Sequence, residues 1–92
     1  TKNDTLVLNK IKIKKIPVII KDFDWIKILN VQKCKISVIE NLPKNLEIID
    51  ASKNNITEFK KDSFPKSINT IILDKNLIFN VDGYPTNLVD LD

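Results

Sequence analysis

One spacing recurs along this chain and limits what it can fold into. From Leu46 the apolar and amide positions read Leu46-x-x-Ile49-x-Ala51-x-x-Asn54-x-Ile56-x-x-Phe59. The same frame returns as Ile68-x-x-Ile71-x-Leu73-x-x-Asn76-x-Ile78-x-x-Val81, and it runs earlier as Ile26-x-x-Leu29-x-Val31-x-x-Cys34-x-Ile36-x-x-Ile39. A first copy begins at Asn3, with Leu6, Leu8, Ile11, Ile13 and Ile16 in the apolar slots, and a fifth begins at Leu88 and stops at Asp92. The starts at 3, 26, 46, 68 and 88 give units of 23, 20, 22 and 20 residues. Units this short cannot bury an apolar face alone and are stable only when stacked on one another. The expectation is therefore one array over residues 1–92, its length counting units rather than setting the radius of a globule.

Within each unit the alternation at Ile49-Asp50-Ala51 and Ile71-Ile72-Leu73 predicts a short strand with one face inward. Successive strands would pair in parallel at about 4.8 Å per unit. Asn54 and Asn76 are expected to turn inward, because a side-chain amide can satisfy backbone groups where the chain bends away from the strand. Cys34 in the same slot reads as a small packed thiol. Pro43, Pro65 and Pro85 favour extended or turn backbone after each unit and argue against regular helices there.

These residues resemble the leucine-rich repeat, L-x-x-L-x-L-x-x-N/C-x-L in units of 20–29 residues. The clearest line is Leu46-Glu47-Ile48-Ile49-Asp50-Ala51-Ser52-Lys53-Asn54-Asn55-Ile56. Ile39-Glu40-Asn41-Leu42 is similar to the linker of the intracellular, phosphatase-regulator type. Leu42-Pro43-Lys44-Asn45-Leu46, Phe64-Pro65-Lys66-Ser67-Ile68 and Tyr84-Pro85-Thr86-Asn87-Leu88 look like the short Pro-containing linkers of bacterial-effector and some protist repeats. The first unit departs from the pattern: Ile11 stands where Asn is expected, and Asp22-Phe23-Asp24-Trp25 lacks the aligned Pro. The resemblance implies an α/β-type repeat solenoid, a horseshoe with a parallel sheet on its concave face and mostly extended or 3₁₀ turns on its convex face. A fifth unit that breaks off within its strand suggests a piece of a longer array.

Composition removes most chemistry. The chain has no His and a single Cys, which excludes Ser-His-Asp and Cys-His catalysis, most zinc sites and an internal disulfide. No nucleophile or acid–base pair has a recognisable partner, so no catalytic residue, metal ligand or cofactor is expected. The lone Cys points modestly to a reducing, intracellular compartment. The longest wholly apolar run, Ile16 to Ile20, contains Pro17 and is far short of the roughly 20 residues a membrane span needs. Lys, Asn and Ile number 15, 11 and 16, and Arg is absent, a bias that by itself would scatter Lys and Asn over any surface. Residues 1–46 carry ten Lys and four acids, residues 47–92 five Lys and eight acids, so an anionic partner would be steered to the N-terminal half.

In the fold implied by the resemblance, outward strand positions and those just after them form the binding surface. One column there is Lys10, Lys33, Lys53 and Lys75, unbroken through the four full units, beside Asn9, Gln32, Ser52 and Asp74. Ammonium groups about 5 Å apart repel by roughly 0.8 kcal/mol in water, little enough for such a ladder to persist. The outward strand columns are Val7, Asn30, Asp50, Ile72 and Asp92, and Thr5, Ile28, Ile48, Thr70 and Asp90. Ile28 and Ile48 should lie side by side, an apolar pair rimmed by polar groups as at a protein contact. Trp25 is expected to pack over an irregular turn or mark a convex contact, and Tyr84 to join Leu42 and Phe64 in the core. Sequons at Asn3 and Asn55 are expected by chance in so Asn-rich a chain.

Three functional classes follow. The leading one is a noncatalytic protein-interaction module whose partner-binding residues are Ile28, Ile48, Asn30, Asp50, Ile72 and the Lys10, Lys33, Lys53 and Lys75 column. The second binds an acidic peptide or anionic lipid surface through that column together with Lys12, Lys14 and Lys15. Nucleic acid is disfavoured, since Arg is missing and no aromatic side chain falls in the concave columns. The third is the recognition part of a larger enzyme or effector.

Overall fold

The computed structural model describes residues 4–57 and 63–77, and the backbone of 90–91. Its strands β1 (Thr5–Val7), β2 (Ile28–Asn30), β3 (Ile48–Asp50), β4 (Thr70–Ile72) and β5 (Asp90–Leu91) form one parallel sheet in chain order. Leu6 pairs with Leu29, Leu29 with Ile49, Ile49 with Ile71 and Ile71 with Leu91. These spacings of 23, 20, 22 and 20 residues match the sequence periods. One 3₁₀ helix, Val18–Asp22, interrupts the connection from β1 to β2. The described residues between the other strands are turns and extended chain.

Strands of three residues or fewer contribute few ladder bonds of their own, and the ladder is lengthened at both ends. Before the strands, the Lys27 carbonyl accepts from Glu47 and Ile48, and the Glu47 carbonyl accepts from Asn69 and Thr70. After them, Leu8 N–H donates to Asn30, Val31 to Asp50 and Ala51 to Ile72. Each of β2, β3 and β4 is entered through the same tight turn: Ile26, Leu46 and Ile68 donate to Phe23, Pro43 and Pro65, all at 3.2 Å. Pro43 and Pro65 stand at the first position of these turns, where the carbonyl accepts and the missing N–H is not called on. On the far side of the core a second row repeats the arrangement, with Asn55 donating to Ile36 and Leu77 to Ile56, both at 2.9 Å.

The core lies behind the sheet. The central residue of each middle strand, Leu29, Ile49 and Ile71, is fully buried. So are Ile26, Leu46 and Ile68 from the entry turns, and Ile36 and Ile56 from the return legs. These residues belong to one buried cluster, and burying one such side chain stabilises by about 1.5–3 kcal/mol.

Asn54 joins the two rows. Its Oδ1 accepts from Cys34 N–H at 2.9 Å and Ile36 N–H at 3.0 Å. Its Nδ2 faces the carbonyls of Val31 and Ala51, both 2.9 Å away, and Ser52 at 3.1 Å. Asn76 makes a reduced version one unit later, accepting from Ile56 and donating to Ala51 and Leu73. Asn54 is buried and Asn76 is half-buried. Asn54→Ala would strand two N–H groups at about 1–3 kcal/mol each, a loss of about 2–6 kcal/mol in all, and Asn76→Ala would cost about 1–3. Urea denaturation of the two variants measures the difference; equal losses would contradict a special role for the buried amide.

Candidate functional site

The outward face of the sheet and the turn at its C-terminal end hold the sequence-predicted site residues. Ile28 and Ile48 are partners in the parallel register, as are Asn30 and Asp50, and Asp50 and Ile72. Ile28, Ile48, Asn30, Asp50 and Ile72 are all half-buried, whereas Val7 at the β1 edge is 53% exposed. The described part of the face is thus an apolar pair, Ile28 and Ile48, beside a mixed row running Val7, Asn30, Asp50, Ile72. Asp92 lies outside the described residues, and only the backbone of Asp90 is described.

Asn30 and Asp50 also shape the chain. Asn30 Oδ1 accepts from the backbone N–H of Gln32, two residues on, at 3.1 Å. Asp50 Oδ1 accepts from both the N–H of Ser52, at 3.2 Å, and its hydroxyl, at 2.8 Å. Its Oδ2 accepts from Gln32 Nε2 across the strand gap. These are Asx turns, in which a short side chain takes the place of a backbone acceptor. Val7 and Ile72 have no such oxygen, so among the described residues of this column the device belongs to Asn30 and Asp50. The sequence places Gln32 in the column beside the lysines, but nothing in it signalled the bond to Asp50.

The turns so formed lead directly into the lysine column. Lys10, Lys33, Lys53 and Lys75 have φ of 68°, 58°, 60° and 59°, all left-handed. All four side chains are exposed. Three of their N–H groups continue the ladder, Lys10 to Gln32 at 2.8 Å, Lys33 to Ser52 at 3.4 Å and Lys53 to Asp74 at 3.0 Å. The backbone therefore sets the ammonium-bearing residues one sheet spacing apart, about 4.8 Å. None of the four forms an ion pair with another described residue; the pair that does form, Lys44 to Asp24 at 3.5 Å, lies elsewhere.

The conformation bears on the choice of residue. A left-handed backbone favours Gly, Asn and Asp, while other L-residues pay about 1–2 kcal/mol. The chain has 11 Asn, yet none stands in this column. Backbone preference opposes lysine at these four positions, but Lys14 and Lys35, outside the column, are left-handed as well, so the conformation alone does not set the ladder apart from the chain's surplus of Lys.

Cys34 sits beneath this face, fully buried. Its Sγ lies 3.0 Å from the Leu8 carbonyl and 3.4 Å from that of Gln32, placed to donate weakly to both. Burial pushes the thiol above its ordinary value of 9.0, and the backbone N–H groups of Ile11 and Lys10 partly oppose the shift. Among the described residues no cluster of three acidic or Cys side chains could hold a metal ion, and no helix is long and apolar enough to cross a membrane. Tyr84 and Asn3 lie outside the described residues. Asn55 is exposed and its N–H is engaged by Ile36.

Two tests separate backbone from side chain here. Lys53→Gly should leave stability unchanged or raise it by up to about 1 kcal/mol, because Gly adopts positive φ freely; a clear loss in urea denaturation would mean that the Lys stem packs. Cys34 keeps its proton in the folded chain beyond the pH at which it ionises unfolded. Its contribution is therefore complete below about pH 9.0 and lost as pH rises through the raised folded value. The stability difference between wild type and Cys34→Ala should accordingly shrink above that pH, and the native thiol should resist alkylation until the chain unfolds. No family model matches this chain, and no curated protein or solved structure matches it.

Proposed function

We propose that the chain is a leucine-rich-repeat solenoid that acts as a noncatalytic protein-interaction module, binding its partner on the outward face of the sheet. The observation that carries this reading is the in-register pair Ile28 and Ile48 beside an unbroken row of exposed lysines. A protein contact needs a partly apolar centre and a polar rim, and most of its energy comes from a few central side chains. Ile28 and Ile48 supply the centre, Ile72 extends it, and Lys33 and Lys53 stand at the rim. Asn30 and Asp50 contribute shape and rigidity, since their oxygens already hold the turns. The row of exposed ammonium groups on Lys10, Lys33, Lys53 and Lys75 favours a second component within the same surface: the partner is acidic where it meets the ladder.

The test compares proteins captured from the source organism by the wild-type chain, by an Ile28→Asp/Ile48→Asp variant and by a Lys10→Glu/Lys33→Glu/Lys53→Glu/Lys75→Glu variant. Circular dichroism confirms folding of each. The isoleucine variant should lose the specific partner, a drop of at least tenfold in affinity, because each carboxylate would be buried unpaired. The lysine variant should weaken binding and flatten its salt dependence. Undiminished capture by the isoleucine variant would remove the sheet face from consideration. Salt-insensitive binding by the wild type would remove the acidic partner.

A further inference from the structure

The connection from β1 to β2 carries a feature that the sheet-face reading does not use. Lys14 to Trp25 folds through successive tight turns: Ile20 N–H donates to Pro17 at 3.1 Å, Phe23 to Ile20 at 3.1 Å and Ile26 to Phe23 at 3.2 Å. The turns bury Ile16, Ile20 and Ile26 and half-bury Phe23. The same turns leave Val18 61% exposed, Ile19 56% and Trp25 49%. The Trp25 ring stacks on Phe23, with centroids 6.1 Å apart and planes 25° apart, so it is held on a partly buried base while half its surface meets water.

Scattered exposed apolar residues are ordinary, but here three fall within eight positions of one turn series. The unit is also the longest of those defined by strand register, 23 residues from Leu6 to Leu29 against 20 from Leu29 to Ile49. Lys14, Lys15 and Lys21 are exposed in the same segment. Of its acids, Asp24 faces the Lys44 ammonium at 3.5 Å, leaving Asp22 as the other. Within residues 14–25 lysines therefore outnumber the acids, and the acid facing them from outside the segment is Glu40, which lines the same groove as Lys21 and Lys44.

We propose that this connection is a docking site for an anionic phospholipid bilayer, with Val18, Ile19 and Trp25 entering the headgroup layer and Lys14, Lys15 and Lys21 meeting lipid phosphates. The charge balance selects an anionic surface. The form of the patch selects a bilayer over a protein. A stable protein interface needs roughly 1,000 Å² or more with complementary packing, whereas a membrane interface accepts a few projecting side chains, Trp above all. The site is separate from the sheet face and does not depend on the reading given to that face.

Trp25 is the single tryptophan of the chain and reports on the site without a label. Its emission is followed as the chain is titrated with phosphatidylserine/phosphatidylcholine vesicles and with pure phosphatidylcholine vesicles. With the anionic vesicles it should shift to the blue and be quenched by brominated lipid, and high salt should reverse both effects. Ile19→Asp, an exposed position whose replacement leaves the fold intact by circular dichroism, should abolish the response. Replacing Lys14, Lys15 or Lys21 by Gln should weaken it about fivefold each. Lys53→Glu/Lys75→Glu on the sheet face should leave it in place. An unchanged emission with phosphatidylserine vesicles would overturn the proposal, as would binding that survives Ile19→Asp but disappears with the sheet-face variant.

Discussion

The buried amide of Asn54 is the interaction on which the rest of this structure depends. A three-residue strand must hand the chain to a return leg within a few residues, and the corner leaves backbone donors and acceptors with no strand to pair them. Buried and unpaired, each would cost on the order of 1–3 kcal/mol. Asn54 accepts from two N–H groups of the preceding unit and shares its two amide hydrogens among three carbonyls spread over both units. It therefore sets the distance and register of one unit against the next while closing its own corner. Cys34, in the same slot one unit earlier, shows what is lost without an amide. A thiol donates weakly and is a poor acceptor, and the corner ahead of it closes on itself: Ile11 N–H turns back to Leu8 at 3.2 Å and Ile13 N–H to Ile11 at 2.7 Å. Leu6, Leu8 and Ile13 are only partly buried in that unit.

The corner also determines what the surface can display. Because the chain leaves β1 to β4 through a left-handed residue, Lys10, Lys33, Lys53 and Lys75 stand at backbone positions that disfavour them, as Lys14 and Lys35 do farther along the first two corners. The Asx turns of Asn30 and Asp50 fix the two residues leading into Lys33 and Lys53. Lys33 and Lys53 consequently stand on a braced backbone, and only their flexible stems remain to be ordered when a ligand arrives. Bracing of this kind lowers the entropy lost on binding. An unbraced loop carrying the same charges would lose more.

Much of the fold was legible because the physics of each slot is local and recurs. Leu29, Ile49 and Ile71 announced inward strand positions, and Pro43 and Pro65 announced turns whose carbonyls the next strand's first apolar residue meets. Asn54 was legible as an inward amide since few residue types satisfy a corner. The left-handed φ of the lysine column was not legible, because Lys carries no conformational signature of the kind Gly or Asn does. For the same reason Asn30 and Asp50 read as free surface groups: an Asx turn depends on where the backbone N–H two residues on comes to lie. The first connection was obscure for a different reason. Its extra residues break the frame, so the burial of Ile20 between exposed Ile19 and Lys21 follows from the 3₁₀ geometry and from no period.

These assignments sharpen the argument about which residues are available for recognition. A polar side chain already bonded to the fold is a poor candidate for an energetic contact, since engaging a partner means giving up what it holds. By that measure Asn30 and Asp50 are supports, as are Asn45, whose amide donates to the Asp24 carbonyl, and Ser67, whose hydroxyl donates to Lys44 and Leu46. Trp25 occupies the same position as Asn45 and Ser67, one residue before an entry apolar slot, but its ring stacks on Phe23 in place of that link. Two groups of wholly or partly exposed residues then stand out among those described. One is the Ile28–Ile48 pair with the lysine ladder on the sheet, and the other is Val18, Ile19 and Trp25 in the first connection. Selection for folding alone would favour Asn or Gly in the first group's turns and polar residues at the tips of the second. The first group gathers an apolar pair and a row of cations on one face, and the second exposes apolar side chains to water, which is the physical reason for seeking the function in them.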